Sequence, residues 1–180
     1  MATKIQRPFS AADHWQTQLR MHGYCVIPEL VPSAQVAALD ADLRPQFERT
    51  DFCRGDFYGE DTKRFGRLLI RSDHAAAFVE HPLILDLVER ALGAWCDTIQ
   101  LNLTQAIEIH PGAPRQAPHR DQDMWEGGKG KVEYLVNVMW PFTPYTPENG
   151  ATLVYPGSHG AHALDADEPT NSLVVEMVPG

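Results

Sequence analysis

Apolar residues in the first half of the chain recur at the spacing of α-helices. A first helix is predicted to end at Gly23, a second to begin at Pro32, and a third to span residues 81–93. A proline near the start and a glycine at the end are typical boundaries for the third helix. The apolar face of the second helix consists of Val36, Leu39, Leu43 and Phe47.

Other patterns lie between and after these helices. Residues 24–28 (YCVIP) predict a strand, and the charged, glycine-containing residues 50–73 predict a long loop or lid. From residue 98 the apolar period changes to two, which is typical of half-buried strands. These strands are predicted at residues 98–110, 132–140, 151–156 and 172–178. In the first of them, Ile107 and Ile109 belong to the face expected to be buried.

The order of elements, with helices first and strands afterwards, predicts an α+β or mainly β fold. A chain of 180 residues is long enough for one domain with a substantial core. We therefore expect a single domain over residues 1–180. Its helical layer should cover about residues 1–97, and its strands should form a sandwich or barrel over about residues 98–180.

Composition narrows the class of protein. Hydrophobic residues make up 43% of the chain and charged residues 22%, which is ordinary for a soluble globular protein. A net charge of −9 disfavours nucleic acid and anionic membranes as partners. Three cysteines without a C-x-x-C spacing argue against a disulfide framework and a structural zinc site. Reduced thiols of this kind predict a cytoplasmic protein.

His119 and Asp121, in the stretch APHRDQDMW, are separated by one residue. In an extended segment, residues i and i+2 point to the same side, so both side chains could reach one cation while Arg120 points away. One imidazole and one carboxylate are two of the three ligands in the facial triad that holds Fe(II). Asp123 would share their face if the extension continued. By itself the motif is weak, because such pairs also occur in exposed turns.

The surroundings of the pair are more specific. Over residues 101–159 the chain has His-x-Asp, a predicted strand ending in Met-Trp, an acidic Asn-Gly turn, Ala-Thr, another strand and Pro-Gly-Ser-His. This order resembles the phytanoyl-CoA dioxygenase family of Fe(II)/2-oxoglutarate oxygenases. The resemblance implies a double-stranded β-helix, a cupin-like jelly roll with N-terminal helices. It also implies oxidation of a small organic substrate, with decarboxylation of 2-oxoglutarate to succinate.

The resemblance assigns roles to individual residues. His119 and Asp121 match the metal ligands, and the implied cofactors are Fe(II), the co-substrate 2-oxoglutarate and O2. Gln116 and Thr152 match positions that contact 2-oxoglutarate in relatives, although a loop residue facing water and an ordinary strand residue are the simpler interpretations. Trp125 and Met139 are expected in the substrate pocket, although large aromatic residues at strand spacing are more often core.

The third iron ligand has no match in this sequence. In the family, the distal His and an Arg that pairs with 2-oxoglutarate follow a segment like VVEMVPG, which here ends at Gly180. We therefore expect these residues and the last jelly-roll strands to lie beyond the chain. Two alternatives stay open: His159 or His162 is recruited as a ligand, or the chain is a non-catalytic jelly-roll module that binds a small molecule. We expect a small-molecule substrate of unspecified identity, no nucleic-acid or membrane partner, and a monomer or homodimer.

Overall fold

The computed structural model describes residues 11–126, 128, 130–160 and 171–180. Its helices are α1 (Ala11–His22), α2 (Ser33–Arg49), α3 (Ala75–Val79) and α4 (Pro82–Leu92). Its strands are β1 (Thr62–Gly66), β2 (Gln105–Ile109), β3 (Leu153–Val154) and β4 (Leu173–Val174). Short 3-10 turns lie at Leu68–Ile70, Asp121–Met124 and Pro147–Asn149. Helices with antiparallel strand pairs confirm the α+β class.

The core forms around α2, whose predicted apolar face is confirmed. All four residues of that face are buried, and Leu43 is only 1% exposed. They pack with Phe65 of β1, Ala106 of β2 and Phe78 of α3. The rings of Phe47 and Phe65 meet edge to face with centroids 4.6 Å apart, a favourable geometry for aromatic pairs. One face of the β1–β2 pair is therefore covered by α2.

The prediction of a loop or lid over residues 50–73 is wrong, because β1 lies within it. β1 pairs antiparallel with β2, with Phe65 opposite Ala106. The charges that suggested a loop are accommodated along the strand. Lys63 donates to the carbonyl oxygen of Phe47 at 3.0 Å, and the Arg64 guanidinium lies 5.2 Å from the centre of the Tyr58 ring. Long basic side chains can cover apolar surface in this way while the strand stays in the core.

In the predicted strand 98–110, the period is confirmed but the extent and the buried face are wrong. Only Gln105–Ile109 is a strand. Ala106 is 7% exposed, whereas Ile107 and Ile109 are 44% and 54% exposed. The cause is the position of α2, which covers the side of the sheet that carries Phe65 and Ala106. Strict alternation then turns the two isoleucines to the opposite side.

Residues 24–28 and 132–140 were also predicted as strands, and the structure assigns no strand to either. No described residue pairs with them in a ladder. An alternating pattern is not sufficient for a strand, because the backbone N–H and C=O groups must bond to a neighbouring strand.

The last two predicted strands are confirmed in part. β3 and β4 each contain two residues and pair antiparallel, with Leu153 opposite Val174. A bridge between Tyr145 and Met177 adds one more contact between the same two regions. The structure therefore has two separate two-stranded sheets in its described residues. These strands are fewer and shorter than those of the jelly roll that the family resemblance implies.

A chain of charged groups links α2 to β2. Arg44 contacts Asp40 within α2 at 2.8 Å and Glu108 of β2 at 2.5 Å. Glu108 in turn lies 2.8 Å from Nε2 of His110. Burial by itself raises the pKa of the Glu108 carboxyl, but the hydrogen bonds from His110 and Arg44 outweigh it, and the pKa lies below its ordinary value. These contacts tie the end of β2 to the helical layer.

The Pro-Gly-Ser-His turn packs against the end of α1. The Gly157 N–H donates to the His22 carbonyl oxygen at 2.8 Å, and Nε2 of His159 lies 3.2 Å from the carbonyl oxygen of Arg20. Gly150 and Gly157 have positive φ, at 86° and 80°. The turn, which follows β3, thus contacts carbonyl groups at the C-terminal end of α1.

No helix in the described parts of the chain is both long and apolar enough to cross a membrane. All three cysteines are free thiols.

Candidate metal centre

His119 and Asp121 lie side by side at the start of a 3-10 turn. Arg120 between them is extended (φ −116°, ψ 128°), so the two flanking side chains point to one side. Nε2 of His119 lies 3.5 Å from Oδ1 of Asp121. Their side chains are 37% and 42% exposed, which leaves room for a ligand from solvent. One imidazole nitrogen and one carboxylate oxygen therefore converge on a common point.

The orientation of the imidazole is set by the backbone. Nδ1 of His119 lies 2.8 Å from the carbonyl oxygen of Ala117. A carbonyl oxygen can only accept a hydrogen bond, so Nδ1 carries the proton in this contact. In the neutral imidazole the lone pair is then on Nε2, the nitrogen that faces Asp121. Histidine ligands to metals commonly show this arrangement, with the second nitrogen held by a carbonyl.

An aromatic ring also packs on His119. The ring of Phe57 meets the imidazole edge to face with centroids 5.0 Å apart. The carbonyl oxygen of the same residue accepts a hydrogen bond of 2.6 Å from the Gln116 side-chain amide. Phe57 thus connects the loop before β1 to the segment that carries the pair. Gln116, the first predicted co-substrate residue, is near His119 in the chain and is engaged by the protein itself.

The carboxylate of Asp121 has its own partner. The side-chain amide of Asn137 donates a hydrogen bond to Oδ2, the other oxygen of the carboxylate. Each oxygen of this carboxylate therefore has a distinct environment.

Asp123 does not join the pair, because the extended stretch ends at Asp121 and the 3-10 turn begins there. Oδ2 of Asp123 instead accepts a hydrogen bond of 3.1 Å from Arg120. Arg120 also donates to the carbonyl oxygen of Ser158 at 3.2 Å. Asp123 and Arg120 thus connect this segment to the Pro-Gly-Ser-His turn.

Thr152 and Met139 are brought together by the structure. The Thr152 hydroxyl lies 3.8 Å from the sulfur of Met139. Met139 is 50% exposed and Trp125 is 41% exposed, so neither belongs to the core. The roles of Gln116 and Thr152 with the co-substrate, and of Trp125 and Met139 with the substrate, stay predictions.

Two clefts in the described residues lie apart from the pair. One cleft, of about 510 Å³, is lined by Asp42 and residues 69–74. Another, of about 620 Å³, lies between α1, residues 24–26, Pro156 and Leu173. Neither includes His119 or Asp121, which form an open, partly exposed site.

The sequence model of the family "Phytanoyl-CoA dioxygenase (PhyH)" matches residues 19–172. The chain belongs to the phytanoyl-CoA dioxygenase family. The match includes the predicted metal pair, both predicted co-substrate residues and the Pro-Gly-Ser-His turn.

Several fungal members of the phytanoyl-CoA dioxygenase family are similar to this chain. The multifunctional dioxygenase ausE of Aspergillus calidoustus is 32% identical over 157 residues, covering 82% of this chain and 53% of the relative. The dioxygenase FrzG of Cladobotryum sp is 33% identical over 152 residues, covering 77% and 49%. The dioxygenase FUM3 of Gibberella moniliformis is 31% identical over 183 residues, covering 87% and 58%. The chain thus spans about half the length of these curated relatives.

A third protein ligand to the pair is not present among the described residues. In those residues, no group of three His, Cys, Asp or Glu side chains is arranged to hold a metal ion. His159, one candidate for recruitment, places Nε2 against the end of α1, 3.2 Å from the Arg20 carbonyl oxygen. His162, the other candidate, lies outside the described residues.

Sequence reasoning missed two residues of the centre, Phe57 and Asn137. Asn137 had a usable signal, since it shares alternate positions with Met139 in the pattern of residues 132–140. Phe57 had none, because it lies 62 residues before His119 in a segment predicted as a loop.

Proposed function

We propose that the chain belongs to an Fe(II)/2-oxoglutarate-dependent oxygenase that oxidises a small organic substrate while 2-oxoglutarate is decarboxylated to succinate. Hydroxylation is the default outcome. The observation that supports this most directly is the convergence of His119 Nε2 and Asp121 Oδ1, 3.5 Å apart, inside a match to the phytanoyl-CoA dioxygenase family.

The two side chains fit the proposed metal. The imidazole has its proton on the nitrogen that binds Ala117, and the carboxylate has one oxygen free of the Asn137 amide. An imidazole and a carboxylate are the ligand types that non-haem Fe(II) takes in oxygenases, and this set leaves positions open. When bound, the iron supplies the oxygen chemistry, which no amino-acid side chain provides.

The protein's own residues bind and orient the organic molecules in this proposal. Gln116 and Thr152 provide neutral donors for 2-oxoglutarate. Gln116 donates to the Phe57 carbonyl oxygen in the structure, so its amide has to leave this partner to reach the co-substrate. Trp125 and Met139, both largely exposed, form part of the wall that the substrate meets.

The fold that goes with this function is a jelly roll behind N-terminal helices. Residues 1–180 would form a single oxygenase domain, with the jelly-roll strands starting near residue 98. The antiparallel pairs β1–β2 and β3–β4 are compatible with this architecture, which consists of antiparallel strands.

Metal binding by the pair can be tested without turnover. The chain is titrated with Co(II), which replaces Fe(II) without being oxidised and has visible absorption that reports its ligands. We expect saturable binding by the unaltered chain, and loss of that binding in His119→Ala and in Asp121→Ala. The physical reason is that a single remaining protein ligand cannot compete with water for the ion.

Matched controls are available on the same chain. His14→Ala in α1 and Asp51→Ala after α2 remove an exposed residue of the same type, and they should bind Co(II) like the unaltered chain. Unchanged Co(II) affinity in both His119→Ala and Asp121→Ala would refute the proposed metal centre.

A second candidate function is a non-catalytic jelly-roll module that binds a small molecule. It is favoured by one observation, the lack of a third ligand group in the described part of the chain. Succinate formation in the presence of Fe(II), ascorbate and 2-oxoglutarate would identify the oxygenase, since the binding module produces none. If the 180-residue chain forms succinate and His159→Ala or His162→Ala abolishes it, the third ligand is recruited within the chain.

A further inference from the structure

Asn137 contacts a proposed iron ligand without being one. Its side-chain amide donates to Oδ2 of Asp121, while Oδ1 of the same carboxylate lies 3.5 Å from His119 Nε2. The two residues are 16 positions apart, and neither lies in a strand that would hold it. The contact therefore ties the segment after the pair back onto the pair.

The chemistry of this contact determines which oxygen is available. A partly exposed carboxylate can rotate and present either oxygen, or both, to a cation. An amide N–H bonded to Oδ2 opposes this rotation and leaves Oδ1 as the free oxygen on the His119 side. The amide is neutral, so it orients the carboxylate without competing with the cation for its charge. Partners of this kind outside the ligand set commonly tune metal affinity.

We propose that Asn137 is a positioning residue that makes Asp121 a one-oxygen ligand, with Oδ1 directed to the same point as His119 Nε2. This inference rests on the proposed function, because it takes Asp121 as a metal ligand. It goes further in assigning a role to a residue to which the family resemblance gave none.

The test is Co(II) titration of Asn137→Leu, which has a similar volume and no donor. We expect the Co(II) affinity to fall by about 10- to 100-fold, the usual effect of losing a partner that orients a ligand. The visible absorption of bound Co(II) should also change, since Asp121 becomes free to bind through both oxygens. A purely structural role would leave this spectrum unchanged. Asn102→Leu, an exposed asparagine exchanged in the same way, is the matched control.

A double-mutant cycle shows whether Asn137 acts through Asp121. In the metal-free chain, Asn137→Leu should lower the free energy of unfolding less in an Asp121→Ala background than in the unaltered chain, because the carboxylate that it contacts is gone. If Asn137→Leu does not fold, Asn137→Val, which also lacks a donor, takes its place in each arm.

The outcomes distinguish a failure of the positioning role of Asn137 from a failure of the proposed metal centre. If Asp121→Ala loses Co(II) binding but Asn137→Leu keeps both affinity and spectrum, the positioning role is overturned and the metal pair stands. An equal loss of unfolding free energy from Asn137→Leu with and without Asp121 also overturns it. If the unaltered chain shows no saturable Co(II) binding, the proposed function fails and the inference fails with it.

Discussion

Replacing Gly23 with alanine should destabilise the fold through two separate effects. Gly23 follows α1 with φ of +81°, a conformation that costs a residue with a side chain roughly 1–2 kcal/mol. A Cβ atom built there would lie 2.5 Å from Nδ1 and 2.8 Å from Cγ of His159. Cγ is close to the backbone, so the ring cannot avoid the new methyl group by a small rotation. His159 must then leave the Arg20 carbonyl oxygen.

The expected magnitude follows from these two effects. Loss of the contact between His159 and the Arg20 carbonyl oxygen costs about 0.5–1.5 kcal/mol. With the backbone cost, Gly23→Ala should lower the free energy of unfolding by about 1.5–3.5 kcal/mol. For a chain of this size, that corresponds to a fall in Tm of about 3–14 °C. Urea unfolding followed by circular dichroism measures the change directly.

Two further variants separate the effects. Gly55 has φ of +85° and no atom within 4 Å of a built Cβ, so Gly55→Ala measures the backbone cost alone. His159→Ala removes the ring that Gly23→Ala would displace. In that background Gly23→Ala should cost only as much as Gly55→Ala does. If the effects of Gly23→Ala and His159→Ala add up fully, the two residues are not in contact and the reasoning is wrong.

Two other predictions concern the co-substrate and acid stability. Gln116→Ala and Thr152→Ala should each weaken 2-oxoglutarate binding to the Co(II)-loaded chain by about 10- to 100-fold, since a hydrogen bond to a charged group contributes about 1.5–3 kcal/mol; calorimetry that finds no change in either variant would contradict this. Hydrogen bonds from Ser72 and His74 hold the pKa of Asp42 below its ordinary value, so their stabilisation is complete above the unfolded-state pKa and is lost as the pH falls through the lower folded-state pKa. Unfolding measured below about pH 4 should therefore be less pH-dependent in Asp42→Asn than in the unaltered chain; equal pH dependence would exclude the effect.

Elements with a one-sided pattern could be predicted from the sequence. The face of α2 is defined by four apolar residues at helical spacing, and a helix with such a stripe has one way to pack. The strand that contains Ile107 was different. Its isoleucines predicted the buried face, but α2 covers the opposite side of the sheet, so Ala106 is buried instead. Which side of a sheet is covered depends on the other elements, and local alternation does not contain this information.

The candidate site shows the same limit. The His119–Asp121 pair could be predicted because i and i+2 spacing is local, and the extended Arg120 preserves it. The expected alignment of Asp123 failed because the chain turns at Asp121. Asn137 and Phe57 reach the pair only through tertiary packing. Their contacts depend on the path of segments that lie 16 residues after Asp121 and 62 residues before His119.

The segment that carries the pair differs from β2 in how its backbone is held. No described strand pairs with residues 111–120, whereas β2 is paired along its whole length with β1. Amide protons of β2 that bond to β1 should therefore exchange with solvent slowly, and those of residues 116–120 quickly. A metal ion bound by both His119 and Asp121 would restrain the backbone around these two residues. Slower exchange at residues 116–121, with no change in β2, would then be the local signature of an occupied site.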